Sequence, residues 1–322
     1  MSTIPLVSFS TPSQIAASVP HMVGYVPTDS VVIVCLNERS VVVTARFDAP
    51  PLELAHEAPQ WALDGIITPV SKKAEVTGIL VIGYDETGIA AARVIATSDP
   101  ITDRVEVLEA LGIDGVRWQG LACPDECGGC DGIVDYGDPI TAAFVANGSA
   151  ASAVTRSDIE AQHTPVPIDL PDVDPSTTQA KRGWANILTG QWSPEDLAFV
   201  SAEPSPMVRD AFIIVYVGVG VKAMSDPLDD VEPDAVEWAR SLPPLPQDTV
   251  VANLLGAAVA GNTPILWSAY ANLMWRVGNG TPARIALENA LAVDPEYRLA
   301  LLTMRLVDAA LPFDCDHLWV RS

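Results

Sequence analysis

Four of the thirteen residues from 163 to 175 are prolines, in the run His-Thr-Pro-Val-Pro-Ile-Asp-Leu-Pro-Asp-Val-Asp-Pro. Proline fixes φ and has no amide donor, so such a run can continue neither a helix nor a central strand. It reads as an extended connector. The pattern also changes across it, from mixed strand and helix signals to helix signals alone. The expected organisation is therefore an α/β (or α+β) half with a mixed sheet over 1–163, a connector over 164–175 and an all-α half over 176–322.

In the first half, Thr11 can cap a helix that Pro12 opens, with Gln14 completing a capping box and Pro20 ending it. Residues 30–36 and 40–46 are rich in Val and Ile. The three residues between them suit a hairpin. Residues 78–83 form an unbroken apolar run, as expected of a strand buried on both faces, and an Ala-rich helix follows over about 87–96. Asp114-Gly115 suggests a hairpin turn between 105–113 and 116–122. Asp138-Pro139 starts a helix that Gly148 ends, and Asp158 sits early in another short one.

Beyond the connector, Ser193-Pro194-Glu195-Asp196 has a capping serine, a first-turn proline and acids at the positive end of a helix. Further helices are expected near 206–223, 233–240, 248–260, 264–277, 282–293 and 296–310. Trp267, Tyr270, Leu273, Met274 and Val277 recur at helical spacing, as do Ala283, Ala286, Leu287, Ala290 and Leu291. Alanines on one helix facing large side chains on the next permit close packing. Residues 264–311 thus look like tetratricopeptide-type helix pairs.

The chain carries 41 acidic and 18 basic residues, a net charge of −23. That charge opposes binding to nucleic-acid phosphates or anionic membranes, and the basic residues cluster no more densely than the pairs Lys72-Lys73 and Lys181-Arg182. The longest apolar run, 211–221, is shorter than the roughly 20 residues of a spanning helix. Residues 1–5 lack the basic start of a secretory signal, so a cytoplasmic location is expected. Five cysteines in that setting suggest thiols or metal ligands rather than a disulfide framework.

Three groups of residues are candidates for chemistry. Cys123, Cys127 and Cys130 fall within eight residues beside two glycines. With a fourth ligand from Asp131, Cys315, His317 or His163 they can hold a structural zinc ion. The alternative is a surface loop with free thiols or one internal disulfide. His21, Tyr25, Asp29 and Ser30 flank a turn shaped by Gly24 and Pro27, where His21 can serve as a base or, equally, satisfy buried backbone groups. Arg46 and Asp48 can pair with each other or hold an anion. The chain has no phosphate-binding Gly-rich loop ending in Lys-Ser/Thr, no Gly-x-Ser-x-Gly and no His-Glu-x-x-His.

Several of these residues also carry a resemblance. The stretch 19–32, Val-Pro-His-Met-Val-Gly-Tyr-Val-Pro-Thr-Asp-Ser-Val-Val, is similar to the PxLLGFxPxDSLV opening of an uncharacterised actinobacterial and actinophage family, domain of unknown function 4192. Residues Ala45-Arg46-Phe47-Asp48-Ala49-Pro50 are similar to its ARxDLP. Val116-Arg117-Trp118 leading to the cysteines, and Trp275-Arg276 through Leu311-Pro312, resemble later parts. Where that family places two adjacent cysteines, this chain has Cys-x3-Cys-x2-Cys. The resemblance implies an origin and no activity.

The expected function is a non-enzymatic protein-interaction module acting through the helical half, with another protein as partner and neither nucleic acid nor membrane. The alternatives are an enzyme or small-molecule sensor with its pocket near residues 21–30, and an acidic decoy of DNA-binding proteins.

Overall fold

The computed structural model describes residues 11–72, 74–122, 130–146, 154–202, 206–213 and 233–308. These divide into two compact units, one ending at Ile159 and one running from Glu160 to Val307.

The first unit opens with α1 (Pro12–Val23), where the Thr11 hydroxyl accepts the amide of Gln14 at 3.3 Å. Pro20 does not end this helix. It lies inside, and the chain turns once more before Gly24, at φ 93°, donates its amide to the Pro20 carbonyl. So near the C-terminus a proline removes a single hydrogen bond, and the left-handed glycine sets the stop. The hairpin β1 (Ser30–Asn37) and β2 (Ser40–Asp48) turns at Glu38 and Arg39. A run of short helical turns follows: a 3₁₀ turn (Leu52–Glu57), α2 (Ala58–Ala62), a π turn (Leu63–Ile67) and α3 (Thr68–Ser71). Then come β3 (Gly78–Tyr84), α4 (Asp85–Thr97), α5 (Asp99–Thr102), β4 (Glu106–Asp114), β5 (Arg117–Gly120), β6 (Asp131–Ile133) and α6 (Pro139–Ala146), and the boundary between the units falls within α7 (Arg156–Gln162). The β4–β5 turn is centred on Gly115-Val116, one residue later than Asp114-Gly115, because Gly115 alone takes positive φ, at 58°.

The strands form one mixed sheet in the order β2-β1-β3-β4-β5-β6, with β3 and β4 parallel and every other pair antiparallel. Side chains alternate across it. Val31, Ile33 and Cys35 of β1 join Ile79 and Val81 of β3 against α4 and the short turns. Val32, Val34 and Leu36 join Leu80, Ile82 and Tyr84 against α1. Two apolar layers therefore cover the two faces, which is why the central strands read as continuous apolar runs.

The second unit is helical: α8 (Thr177–Thr189), α9 (Pro194–Ser201), α10 (Met207–Ala211), α11 (Pro233–Ser241), α12 (Gln247–Gly261), α13 (Pro264–Arg276), α14 (Gly280–Val293) and α15 (Arg298–Asp308). The remainder of the expected 206–223 helix lies outside the described residues. Helix α8 starts with a capping box of Ser176 and Gln179, and α9 with one of Ser193 and Asp196. Burial alone would raise the carboxyl pKa of Asp196. Hydrogen bonds from Asn186 and from the amide and hydroxyl of Ser193, with Arg182 nearby, outweigh it and lower that pKa.

Helix α13 is the centre of this unit, with every residue from Ile265 to Met274 buried. Ala283, Ala286, Leu287 and Ala290 of α14 are buried with it, and Leu291 is half-buried. Trp184 stacks on Phe212 at 4.5 Å between ring centroids. Residues 164–170 run extended along this unit. Val166 and Ile168 donate their amides to the carbonyls of Val259 and Ala260, in the last turn of α12, at 3.0 and 2.9 Å. Among the described residues no helix is long and apolar enough to cross a membrane.

Candidate functional site

Of the first-half candidates, Asp29, Ser30, Arg46 and Asp48 gather at one end of the sheet. In the strand register Ser30 sits opposite Asp48 on one side and Tyr84 on the other. Three adjacent strands thus bring Asp48, Ser30 and Tyr84 into a row. Tyr84 ends β3, and the next residue begins α4. This is the carboxyl end of the β3–α4–β4 crossover, where open α/β sheets present their ligand crevices.

Next to this row the backbone is strained. Asp29 and Asp85 have φ of 41° and 59°, in the left-handed region that non-glycine residues seldom occupy. They support each other. The Asp85 carboxylate accepts the amide of Asp29 at 2.9 Å, and the Asp29 carboxylate accepts the hydroxyl of Thr87 at 3.3 Å. Helix α4 also lies unusually close to the sheet. A Cβ on Gly88 would run into the Ser30 carbonyl, and one on Gly83 into the Gly88 carbonyl.

Arg46 and Asp48 are ion-paired at 2.6 Å, Arg46 also donates to the Thr28 carbonyl at 3.4 Å, and Arg156 lies 4.0 Å from Asp48. His21 is buried in α1 and stacks on Phe144 with ring centroids 5.0 Å apart and planes 3° from parallel. Burial lowers its pKa, so the neutral imidazole is favoured. The hydroxyls of Tyr25, Ser30 and Tyr84 are buried and find no hydrogen-bond partner among the described residues. Burial, with Tyr136 and Asp85 adding, holds the Tyr84 phenol well above its usual range. The phenol therefore stays protonated.

Sequence patterns single out His21, Tyr25, Asp29 and Ser30 as one group and Arg46 and Asp48 as another, and leave out Tyr84, Asp85, Thr87 and Phe144. A strand expected to end at Gly83 and a helix expected from Thr87 leave Tyr84 and Asp85 as linker, whereas the structure makes them the last residue of β3 and the first of α4. Asp85-Glu86, acids in the first turn of α4, were the available signal.

Cys123 and Cys127 lie outside the described residues, as do Cys315 and His317. Cys130 is disulfide-bonded. Asp131 pairs with Arg117 at 3.4 Å, and His163 is engaged with Tyr270 at 3.0 Å. Among the described residues no group of three or more His, Cys, Asp or Glu could hold a metal ion. A cavity of about 460 Å³ lies elsewhere in the first unit, lined by residues including Gln60, Asp64, Thr68, Asp99, Asp103 and Arg104.

The first unit is thus a mixed α/β sheet covered on both faces, with a row of polar residues at the end of one crossover, and the second unit is helical. The chain belongs to the family described as Domain of unknown function (DUF4192), whose model matches residues 12–227, more than half of the chain. The match contains the whole strand-end cluster and stops before α11, so the resemblance read at 275–312 falls outside it. No curated protein and no solved structure matches.

Proposed function

We propose that this protein is a non-enzymatic interaction module that binds another protein through its helical unit, at work in the cytoplasm. One observation carries this reading. Helix α15 buries Ala300 and Thr303 but leaves Leu301 and Leu302 exposed by 38% and 46%, and Val293, the last residue of α14, is exposed by 45%. Exposed aliphatic side chains on consecutive helices suit a helix-packing partner, as in tetratricopeptide-type stacks. In the α/β unit, by contrast, Arg46 and Asp48 are ion-paired and His21 is packed against Phe144. To test it, proteins co-purifying with the full chain are compared with those co-purifying with Leu302→Asp. At least one should fall about tenfold. Identical sets would end the proposal.

A second reading, a small-molecule sensor, is favoured by the buried, unpartnered hydroxyls of Tyr25, Ser30 and Tyr84. Buried polar groups without partners are rare in cores and are natural ligand contacts. Tyr84→Phe removes one hydroxyl and keeps the ring. A small polar compound that raises the melting temperature of the wild type should fail to do so for this variant. An equal rise in both would place the compound elsewhere.

A further inference from the structure

The extended strap over residues 164–170 deepens the interaction reading, on which this inference rests. Pro165 and Pro167 fix their own φ and bias their neighbours toward extended backbone. They leave Val166 and Ile168 as the amide donors of 165–168, and both donors are used on α12. The accepting carbonyls, Val259 and Ala260, belong to the last turn of a helix, where intrahelical partners run out. The upstream end is fastened as well. The buried His163 ring bonds to Tyr270, and its carbonyl accepts the side-chain amide of Asn289 at 2.8 Å.

The result is an ordered backbone whose successive side chains Val166, Pro167 and Ile168 all face solvent, with Val166 exposed by 66%. Grooves that read proline-rich segments use the proline rings, apolar side chains and carbonyls of an extended chain, and need no amide donor from it. Such a groove can therefore take this segment while its amides stay on α12. Its backbone is already ordered, so little entropy is lost on binding. Immediately downstream, Asp169, Asp172 and Asp174 are exposed. These acids select a basic rim, and the net charge of −23 works against a second copy of the chain.

We propose that residues 164–170 are a docking segment for a partner protein whose groove is lined by aromatic side chains and rimmed by Lys or Arg. To test it, the photoreactive residue p-benzoylphenylalanine replaces Val166, Ile168 or Leu302 in the full chain, in the cells that make it. The side chains of Val166 and Ile168 are exposed, so melting temperatures should match the wild type. The inference expects adducts from 166 and 168 that map to an aromatic, basic groove. It also expects Asp169→Asn/Asp172→Asn/Asp174→Asn to cut the adduct yield about tenfold. Adducts from 302 alone would overturn this inference and leave the interaction reading standing. No adduct from any position would remove both. Adducts from 166 or 168 to a second copy of the chain, or to a surface without aromatic and basic residues, would also overturn it.

Discussion

The carboxylate of Asp85 accepts the backbone amide of Asp29 at 2.9 Å, so two residues of positive φ from distant parts of the chain hold each other in place. Asparagine tolerates the same backbone region and keeps an acceptor oxygen; alanine does neither. Asp85→Ala should cost roughly 1–3 kcal/mol in urea denaturation, and Asp85→Asn under about half of that. Equal losses would mean the bond is not what fixes this corner.

Two glycines should respond to alanine with opposite signs. At Gly88 the added methyl meets the Ser30 carbonyl, and backbone cannot step aside as a side-chain tip can. A cost of roughly 1–3 kcal/mol is expected there. At Gly256, exposed in the middle of α12, a Cβ meets nothing within 4 Å, and alanine should stabilise by about 0.4–1 kcal/mol. Thermal melts of the two variants decide both. Loss at Gly256 would mean that α12 is packed differently.

His21 makes stability depend on pH. Burial lowers its pKa below the ordinary 6.5, so between the two values the unfolded chain binds more protons than the folded one. The contribution of the neutral imidazole is therefore complete above about pH 6.5. It is lost as the pH falls from there toward the folded-state value, and it levels off below that value. Chemical denaturation between pH 8 and pH 5 should show stability falling toward acid, less steeply in His21→Gln. Parallel profiles for wild type and variant would assign the dependence to other groups.

The cysteines separate by chemistry. Cys35 is buried, and burial pushes its thiol pKa up to about 11, so it should resist iodoacetamide until the chain is unfolded. Cys130, in a disulfide, should be alkylated in the unfolded chain only after reduction. A zinc cage over Cys123, Cys127 and Cys130 needs all three as thiolates. If elemental analysis found one equivalent of zinc, and chelation alone freed Cys130 for alkylation, the zinc reading would replace the disulfide.

Local signals were legible where chemistry acts over a few residues. Thr11 with Pro12, and Ser193 with Pro194 and Asp196, announce their helices because a cap and a first-turn proline lie within four residues. The helical turns from Leu52 to Ser71 were silent. They are four or five residues long for the most part, and Pro59 and Pro69 interrupt any 3.6 period. Helix α8 was missed although Ser176-x-x-Gln179 announces it. Half of the strand-end cluster was within reach because Asp29 to Asp48 are close in sequence. Tyr84 and Asp85 join it through the β1–β3 register and a backbone conformation that the aspartate sequence does not encode by itself.

The stretch that looks most like a hinge also finishes a helix. Without the amides of Val166 and Ile168, two carbonyls in the last turn of α12 lose their partners. Without His163, Tyr270 and Asn289 lose theirs. A shortened protein intended to carry the helical unit therefore has to begin upstream of His163. One trimmed to the first clean helix start, at Ser176, would carry a frayed α12 and a gap beside α13, and would be a poor bait for whatever the full chain binds.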